Sequence, residues 1–166
     1  MKIITVIGAR PQFIKAAMVS KQFFNKDKIN EIIIHTGQHF DSNMSNIFFK
    51  EMRIPHPNYN LGINSLSHGA MTGRQLELIE KILIEEKPDY LLVYGDTNST
   101  LSGALAASKL NIPIAHVEAG LRTFDNFQPF PEEVNRKMIS QYASLHFAPT
   151  NKAKENLIPK LLSSTV

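Results

Sequence analysis

Short runs of β-branched and other apolar residues recur along this chain, separated by amphipathic stretches, and strict alternation of apolar with polar residues is mostly absent from them. A strand that is apolar on both sides needs cover on both faces, as in a parallel sheet flanked by helices. The strand candidates are Lys2–Ile7, Ile32–Thr36, Tyr59–Leu61, Tyr90–Tyr94, Pro113–Val117 and Leu145–Ala148. Between them the spacing predicts helices. Pro11 suits the first turn of one running to about Phe24, because its missing N–H would have no helical partner there. Within Gln75–Glu86, Leu76, Ile79, Ile82 and Leu83 recur at helical spacing opposite Glu77, Glu80, Lys81 and Glu85. Thr97 to Thr100 offer caps for an Ala-rich helix over Leu101–Leu110. A further helix is expected from Pro131 to Gln141, and another begins at Pro149, Thr150 and Asn151. This βαβα rhythm predicts a doubly wound, right-handed α/β sheet in the order 3-2-1-4-5-6.

At 166 residues the chain suits one such domain better than two. The absence of cysteine excludes disulfides, thiolate nucleophiles and Cys-bearing zinc sites, and agrees with a reducing cytoplasm. The opening MKIITVIGARPQF is too short an apolar run for a signal peptide, and no stretch approaches the ~20 apolar residues that span a bilayer. Lys plus Arg exceed Asp plus Glu by 18 to 15, a net +3 without clustered cations and interleaved aromatics, so nucleic acid is not an expected partner. A small anion needs only two or three placed cations.

Ligands of doubly wound sheets bind beyond the carboxyl ends of the strands, at the switch point between the first and fourth. After the first strand comes Gly8-Ala9-Arg10-Pro11-Gln12-Phe13-Ile14-Lys15, a glycine turn whose backbone N–H groups and two cations suit a phosphate or pyrophosphate. Neither G-x-G-x-x-G nor a P-loop is present. Asp96, after the fourth strand, reads in isolation as a helix cap or Asx-turn. Glu118 lies between an apolar strand and a glycine turn, where a carboxylate either pairs with a cation or does chemistry; Arg122 is the expected partner. Glu132 and Glu133 at a helix start read by default as complements of the macrodipole. Convergence argues for more: Arg10, Lys15, Asp96 and Glu118 would ring one crevice, with Glu132 on its rim.

The strings IGARPQFIKA, TGQH, HGAMTGRQLE, KPDYLLVYGDTNST, HVEAGLRT and PEEVNR, in this order, resemble the non-hydrolysing UDP-N-acetylglucosamine 2-epimerases from Met1 to about Leu157. The resemblance implies a Rossmann-like domain at residues 1–160, the first half of a two-domain glycosyltransferase-B-type architecture, with 161–166 beginning an interdomain linker and the second domain absent. It implies a reaction in which UDP is eliminated from UDP-GlcNAc to a 2-acetamidoglucal and re-added to give UDP-ManNAc, a precursor of cell-surface polysaccharide. By the same resemblance Asp96, Glu118 and Glu132 match the catalytic acids. Arg10, Lys15, Gln38, His39, Arg122 and Arg136 match substrate-binding positions. No hydride moves, so no cofactor is expected. The complete protein is expected to be a cytoplasmic homodimer, and this chain alone to be inactive.

The chain also departs from the family pattern. Gln12 and Phe13 stand where many members have Glu-Ala, and Phe124 stands where glycine is frequent. These differences resemble relatives that epimerise more decorated UDP-sugars, such as diacetamido uronic acids. Some members bind a second, regulatory UDP-GlcNAc through two glutamines and an arginine. Gln38 and Arg74 match two of these, but Asp41 replaces the other glutamine, so regulation by substrate is not expected. His39, His68 and His116 lie in family-like strings, whereas His35, His56 and His146 do not; none has helical metal spacing, and no metal is assigned. Competing readings are half of a retaining glycosyltransferase and a nucleotide-sugar binding module without turnover.

Overall fold

A computed structural model describes residues 1–38, 55–125, 127 and 130–162. His39 and Asp41 lie outside these residues. The strands are β1 (Lys2–Ile7), β2 (Asn30–His35), β3 (Tyr59–Asn60), β4 (Tyr90–Tyr94), β5 (Ile114–Val117) and β6 (Leu145–Phe147). Numbering helices by chain order among the described residues, α1 is Arg10–Phe24, α2 His68–Glu86, α3 Asn98–Lys109, α4 Glu132–Tyr142 and α5 Asn151–Leu162. The strands form one six-stranded sheet in the order β3-β2-β1-β4-β5-β6, with every neighbouring pair parallel. The expected doubly wound order is therefore present, and β1 lies between β2 and β4 at the switch point.

Side-chain parity explains why the strands carry little polar alternation. Ile4 and Val6 of β1, with Ile34, Leu91 and Val93, face Ile79 and Leu83 of α2, Ala104 and Ala107 of α3 and Ile139 of α4. Ile3 and Ile7, with Ile33, Leu92 and Tyr94, face Phe13, Ala16 and Ala17 of α1. The inner strands β1, β2, β4 and β5 thus bury residues of both parities, as a covered parallel sheet requires, whereas the edge strands β3 and β6 remain partly exposed. In α3 the alanines and Gly103 let the helix settle closely, since a methyl on Gly103 would already lie 3.4 Å from Val6 and Val93.

One boundary differs substantially from the sequence expectation. Helix α2 begins at His68, seven residues before Gln75. Its early turns are rich in Gly and polar residues, and Gln75 occupies a fully buried position that the apolar periodicity does not mark. Ser102 of α3 reaches both Gln75 and the Thr72 carbonyl at 3.2 Å, so polar contacts hold this part of the α2–α3 seam. Among the described residues no helix is long and apolar enough to cross a membrane.

Candidate functional site

The site begins where β1 stops. Gly8 follows it with no room for a side chain: a Cβ there would stand 2.1 Å from Thr36 Oγ1 and 2.2 Å from Ser99 Oγ. Those hydroxyls share a 2.7 Å hydrogen bond, drawing the ends of β1 and β2 against the start of α3. Gln38 joins the same junction by accepting from the Ser99 N–H at 3.0 Å and the Ser99 hydroxyl at 2.7 Å.

The glycine turn is not the open anion nest that its sequence suggests. The N–H groups of Gly8 and Ala9 both donate to Gln12 Oε1, at 2.8 and 2.9 Å, so the helix's own side chain occupies them. Any anion at this turn must be met chiefly by side chains. Arg10, on the exposed first turn of α1, and Lys15, one turn further along, are placed for this.

The carboxylates converge from separate elements. Asp96 follows β4 and forms an ion pair with Arg136 of α4, Oδ2 lying 2.6 Å from Nη2 and 2.7 Å from Nε. It is thus an ion-pair partner rather than the helix cap expected in isolation; Thr97 is the N-cap of α3, accepting from the Thr100 N–H at 3.3 Å. Asn135 of α4 donates to the Asp96 carbonyl at 2.8 Å, so two consecutive residues of α4 grip one residue after β4.

Glu118 follows β5 and pairs with Lys15, not with Arg122 as expected. Arg122 turns the other way, donating to the Leu121 carbonyl at 2.7 Å and to Ser140 Oγ at 2.6 Å. The reason is backbone direction. Glu118 has φ 69°, a left-handed conformation that costs a non-glycine residue about 1–2 kcal/mol. Both its N–H and that of Ala119 donate to the Phe147 carbonyl of β6, at 3.0 and 3.1 Å, which holds the turn in place. A side chain kept at a strained position by the surrounding structure is a common mark of function. Its carboxylate also lies close to the Asp96 loop, for a Cβ on Gly95 would be 3.3 Å from Glu118 Oε2.

Glu132 opens α4, and its Oε2 is buried without a hydrogen-bond partner among the described residues. A buried carboxylate oxygen without such a partner is costly, and Glu133 Oε1, next to it in sequence, is another. Glu133 is more than a dipole complement. Fully buried, it accepts from the Thr123 N–H at 3.0 Å and lies 3.5 Å from Arg136. Burial alone would raise its pKa, but the hydrogen bonds from Thr123 and the charges of Arg122 and Lys137 outweigh it and hold the carboxyl below its ordinary range. Burial also lowers the Arg122 pKa, with Glu133 opposing the shift.

His116, 2% exposed, meets the Gly95 carbonyl through Nε2 at 2.7 Å. Burial pushes its pKa down to about 4, so near neutral pH the ring is uncharged and Nε2 carries the proton it donates. Among the described residues no group of three or more His, Asp or Glu is placed to hold a metal ion.

The structure thus pairs Lys15 with Glu118 and Asp96 with Arg136 beyond the carboxyl ends of β1, β4 and β5; Arg10 lies on the turn after β1, Glu132 at the start of the helix that carries Arg136, Gln38 against Ser99, and Arg122 is directed toward α4. The sequence marked Gln12 only as a departure from the family pattern and did not single out Asn135 or Ser140; the contacts of Gln12 with Tyr94, of Asn135 with Asp96 and of Ser140 with Arg122 join residues distant in the chain.

Three comparisons bear on this arrangement. A family model described as UDP-N-acetylglucosamine 2-epimerase matches residues 21–164. A UDP-2,3-diacetamido-2,3-dideoxy-D-glucuronate 2-epimerase from Pseudomonas aeruginosa is 58% identical over 157 residues, covering 95% of this chain and 44% of that protein. Among solved structures, the Methanocaldococcus jannaschii UDP-GlcNAc 2-epimerase in complex with UDP-GlcNAc and UDP superimposes with a TM-score of 0.92 at 49% identity, covering 96% of this chain and 43% of that one. The Neisseria meningitidis UDP-GlcNAc 2-epimerase bound to UDP-GlcNAc gives 0.91 at 36% identity, covering 97% and 43%. The chain spans less than half the length of these relatives.

Proposed function

This chain belongs to the UDP-N-acetylglucosamine 2-epimerase family, and on that premise we propose that it supplies one half of an active site that inverts C2 of a 2-acetamido UDP-sugar. The observation that carries the reading is that two carboxylates from different turns are each held by a cation at the strand ends, with a third carboxylate opening the helix that carries one of those cations. Asp96 and Glu118 are each bound to a cation, and Glu132 has a buried oxygen without a hydrogen-bond partner among the described residues.

The chemistry asks for such a set. A C2 proton beside an acetamido group is barely acidic, so its removal must accompany departure of UDP from C1. The C2–H electron pair becomes the C1–C2 double bond of a 2-acetamidoglucal, and UDP leaves with the C1–O pair. Return of a proton to the opposite face of C2, with re-formation of the C1–O bond, completes inversion; no oxidant or reductant takes part. Arg10 and Lys15 stabilise the charge that gathers on the departing diphosphate. Asp96, Glu118 and Glu132 provide the acid and base that inversion needs on two faces. Arg136 orients Asp96; Gln38, His39 and Arg122 are assigned to substrate binding by the family resemblance alone.

UDP-GlcNAc is one substrate candidate. The diacetamido glucuronate derivative is the other, favoured by the 58% identical Pseudomonas relative and by Gln12, Phe13 and Phe124. In the complete protein this domain faces a second Rossmann-like domain across the cleft, in a cytoplasmic homodimer. The 166 residues alone are expected to bind UDP weakly and turn over little.

The test is incubation of the complete protein with each UDP-sugar in deuterated water. Formation of the C2 epimer with deuterium at C2 supports the reading; no exchange with either sugar rejects it. Asp96→Asn, Glu118→Gln and Glu132→Gln are each expected to lower kcat by about 100-fold or more. If a variant unfolds the domain but spares activity per folded molecule, that carboxylate is structural.

A further inference from the structure

Gln12 is 2% exposed and lies where three segments of the site meet. Its Oε1 accepts the N–H groups of Gly8 and Ala9, in the turn that leads into Arg10, at 2.8 and 2.9 Å. Its Nε2 donates to the Tyr94 carbonyl at 2.8 Å and reaches the hydroxyls of Thr100 and Thr97 at 2.9 and 3.1 Å. Tyr94 ends the strand that delivers Asp96, and Thr97 caps α3. The amide cannot be reversed, because its NH₂ group would then face two backbone N–H groups. One side chain therefore fixes the cation-bearing turn after β1 against the carboxylate-bearing turn after β4, across the switch point.

We infer that Gln12 is a positioning residue for the reaction, setting the distance between the cations that receive the diphosphate and the carboxylate Asp96. The inference rests on the proposed epimerase function. Its physical basis is that a displacement of about 1 Å between reacting groups can cost on the order of 100-fold in rate, even when it arises away from the chemistry. Ground-state binding is affected less, since flexible cations such as Arg10 and Lys15 can follow a diphosphate over that distance.

Two variants separate positioning from packing. Gln12→Leu keeps much of the volume but leaves the Gly8 and Ala9 N–H groups without their acceptor. Gln12→Glu keeps the shape and that acceptor, and its carboxyl, buried against the Tyr94 carbonyl, is expected to be protonated so that its O–H donates there in place of Nε2. In the complete protein, per folded molecule, Gln12→Leu is expected to lower kcat at least tenfold with KM changed less than about threefold. Gln12→Glu should recover most of the lost kcat. In this chain, Gln12→Leu should also move the backbone amide resonances of Gly95 and Asp96, more than 80 positions away.

Wild-type kcat in Gln12→Leu, a loss confined to KM, or Gln12→Glu no better than Gln12→Leu would overturn the inference. Unmoved Gly95 and Asp96 resonances would also overturn it, whatever the assay shows. A wild-type protein without turnover but with the resonance shift would instead defeat the epimerase reading and leave the coupling across the switch point intact.

Discussion

At the scale of single residues, the site balances its own charges before any ligand arrives. Lys15 serves Glu118, and Arg136 serves Asp96. An incoming diphosphate therefore competes with a carboxylate for Lys15, and the affinity observed is net of that exchange. Glu118→Gln is expected to tighten binding of inorganic pyrophosphate about two- to fivefold, the scale of a partly exposed ion pair. Lys15→Met should weaken binding and abolish most of the gain from Glu118→Gln. Calorimetric titration of the two single variants and the double variant measures this coupling, and purely additive effects would refute the competition.

His116 makes a second prediction at this scale. Its folded pKa of about 4 lies below the unfolded value near 6.5, so the unfolded chain takes up a proton in that window while the folded one does not. Stability should fall as pH drops from about 6.5 toward 4, by on the order of 3 kcal/mol. Lowering of the His35 pKa by burial and of the Glu133 pKa by its partners acts in the same direction, the latter at more acid pH. Urea unfolding across this range should show the slope, and His116→Gln should flatten it.

At the scale of elements, the most demanding contact joins the turn after β5 to α5. Gly120 has φ 83°, and a Cβ there would meet the Ala153 carbonyl at 2.1 Å. Asn156 also donates to the Gly120 carbonyl at 3.0 Å. Gly120→Ala should displace α5 and cost roughly 2–4 kcal/mol, combining a left-handed alanine with overpacking. Chemical denaturation would measure it, and a cost under about 1 kcal/mol would show that α5 yields freely.

Elements of this kind were largely legible in the sequence because the local signal and the tertiary demand agree. Tyr90–Tyr94 is apolar throughout and sits at the sheet centre, and Pro131 and Thr97 mark helix starts. The first turns of α2, from His68 to Arg74, were not legible because they hold two glycines and few apolar residues, and their packing uses polar contacts to Ser102 on another helix. The adjacency of the turns after β1, β4 and β5 was legible for the same reason as the strands. The pairing of Lys15 with Glu118, 103 positions apart, was not, since it depends on the left-handed backbone of Glu118. The filling of the glycine turn by Gln12 is local by contrast: as the third residue of α1 it reaches back to the N–H groups of Ala9 and Gly8, a capping-box contact that sequence spacing can mark.

At the scale of the whole molecule, the direction of winding leaves the two faces unequally dressed. Right-handed crossovers on the β4–β6 side send α3 and α4 to one face, and α1 packs over β2, β1 and β4 on the other. Beyond α1 that second face holds an apolar groove of about 330 Å³, lined by residues including Ile3, Phe23, Leu92, Ala115, Leu145 and Phe147. Leu145 and Phe147 are about half exposed. This strip should govern how the chain behaves on a bench. It is expected to hold the protein on a phenyl column and to brighten an environment-sensitive dye such as ANS. Phe147→Ser with Leu145→Thr should shorten retention and dim the dye while leaving pyrophosphate titrations unchanged. Unaltered chromatography in that double variant would mean that the stickiness, if observed, comes from elsewhere.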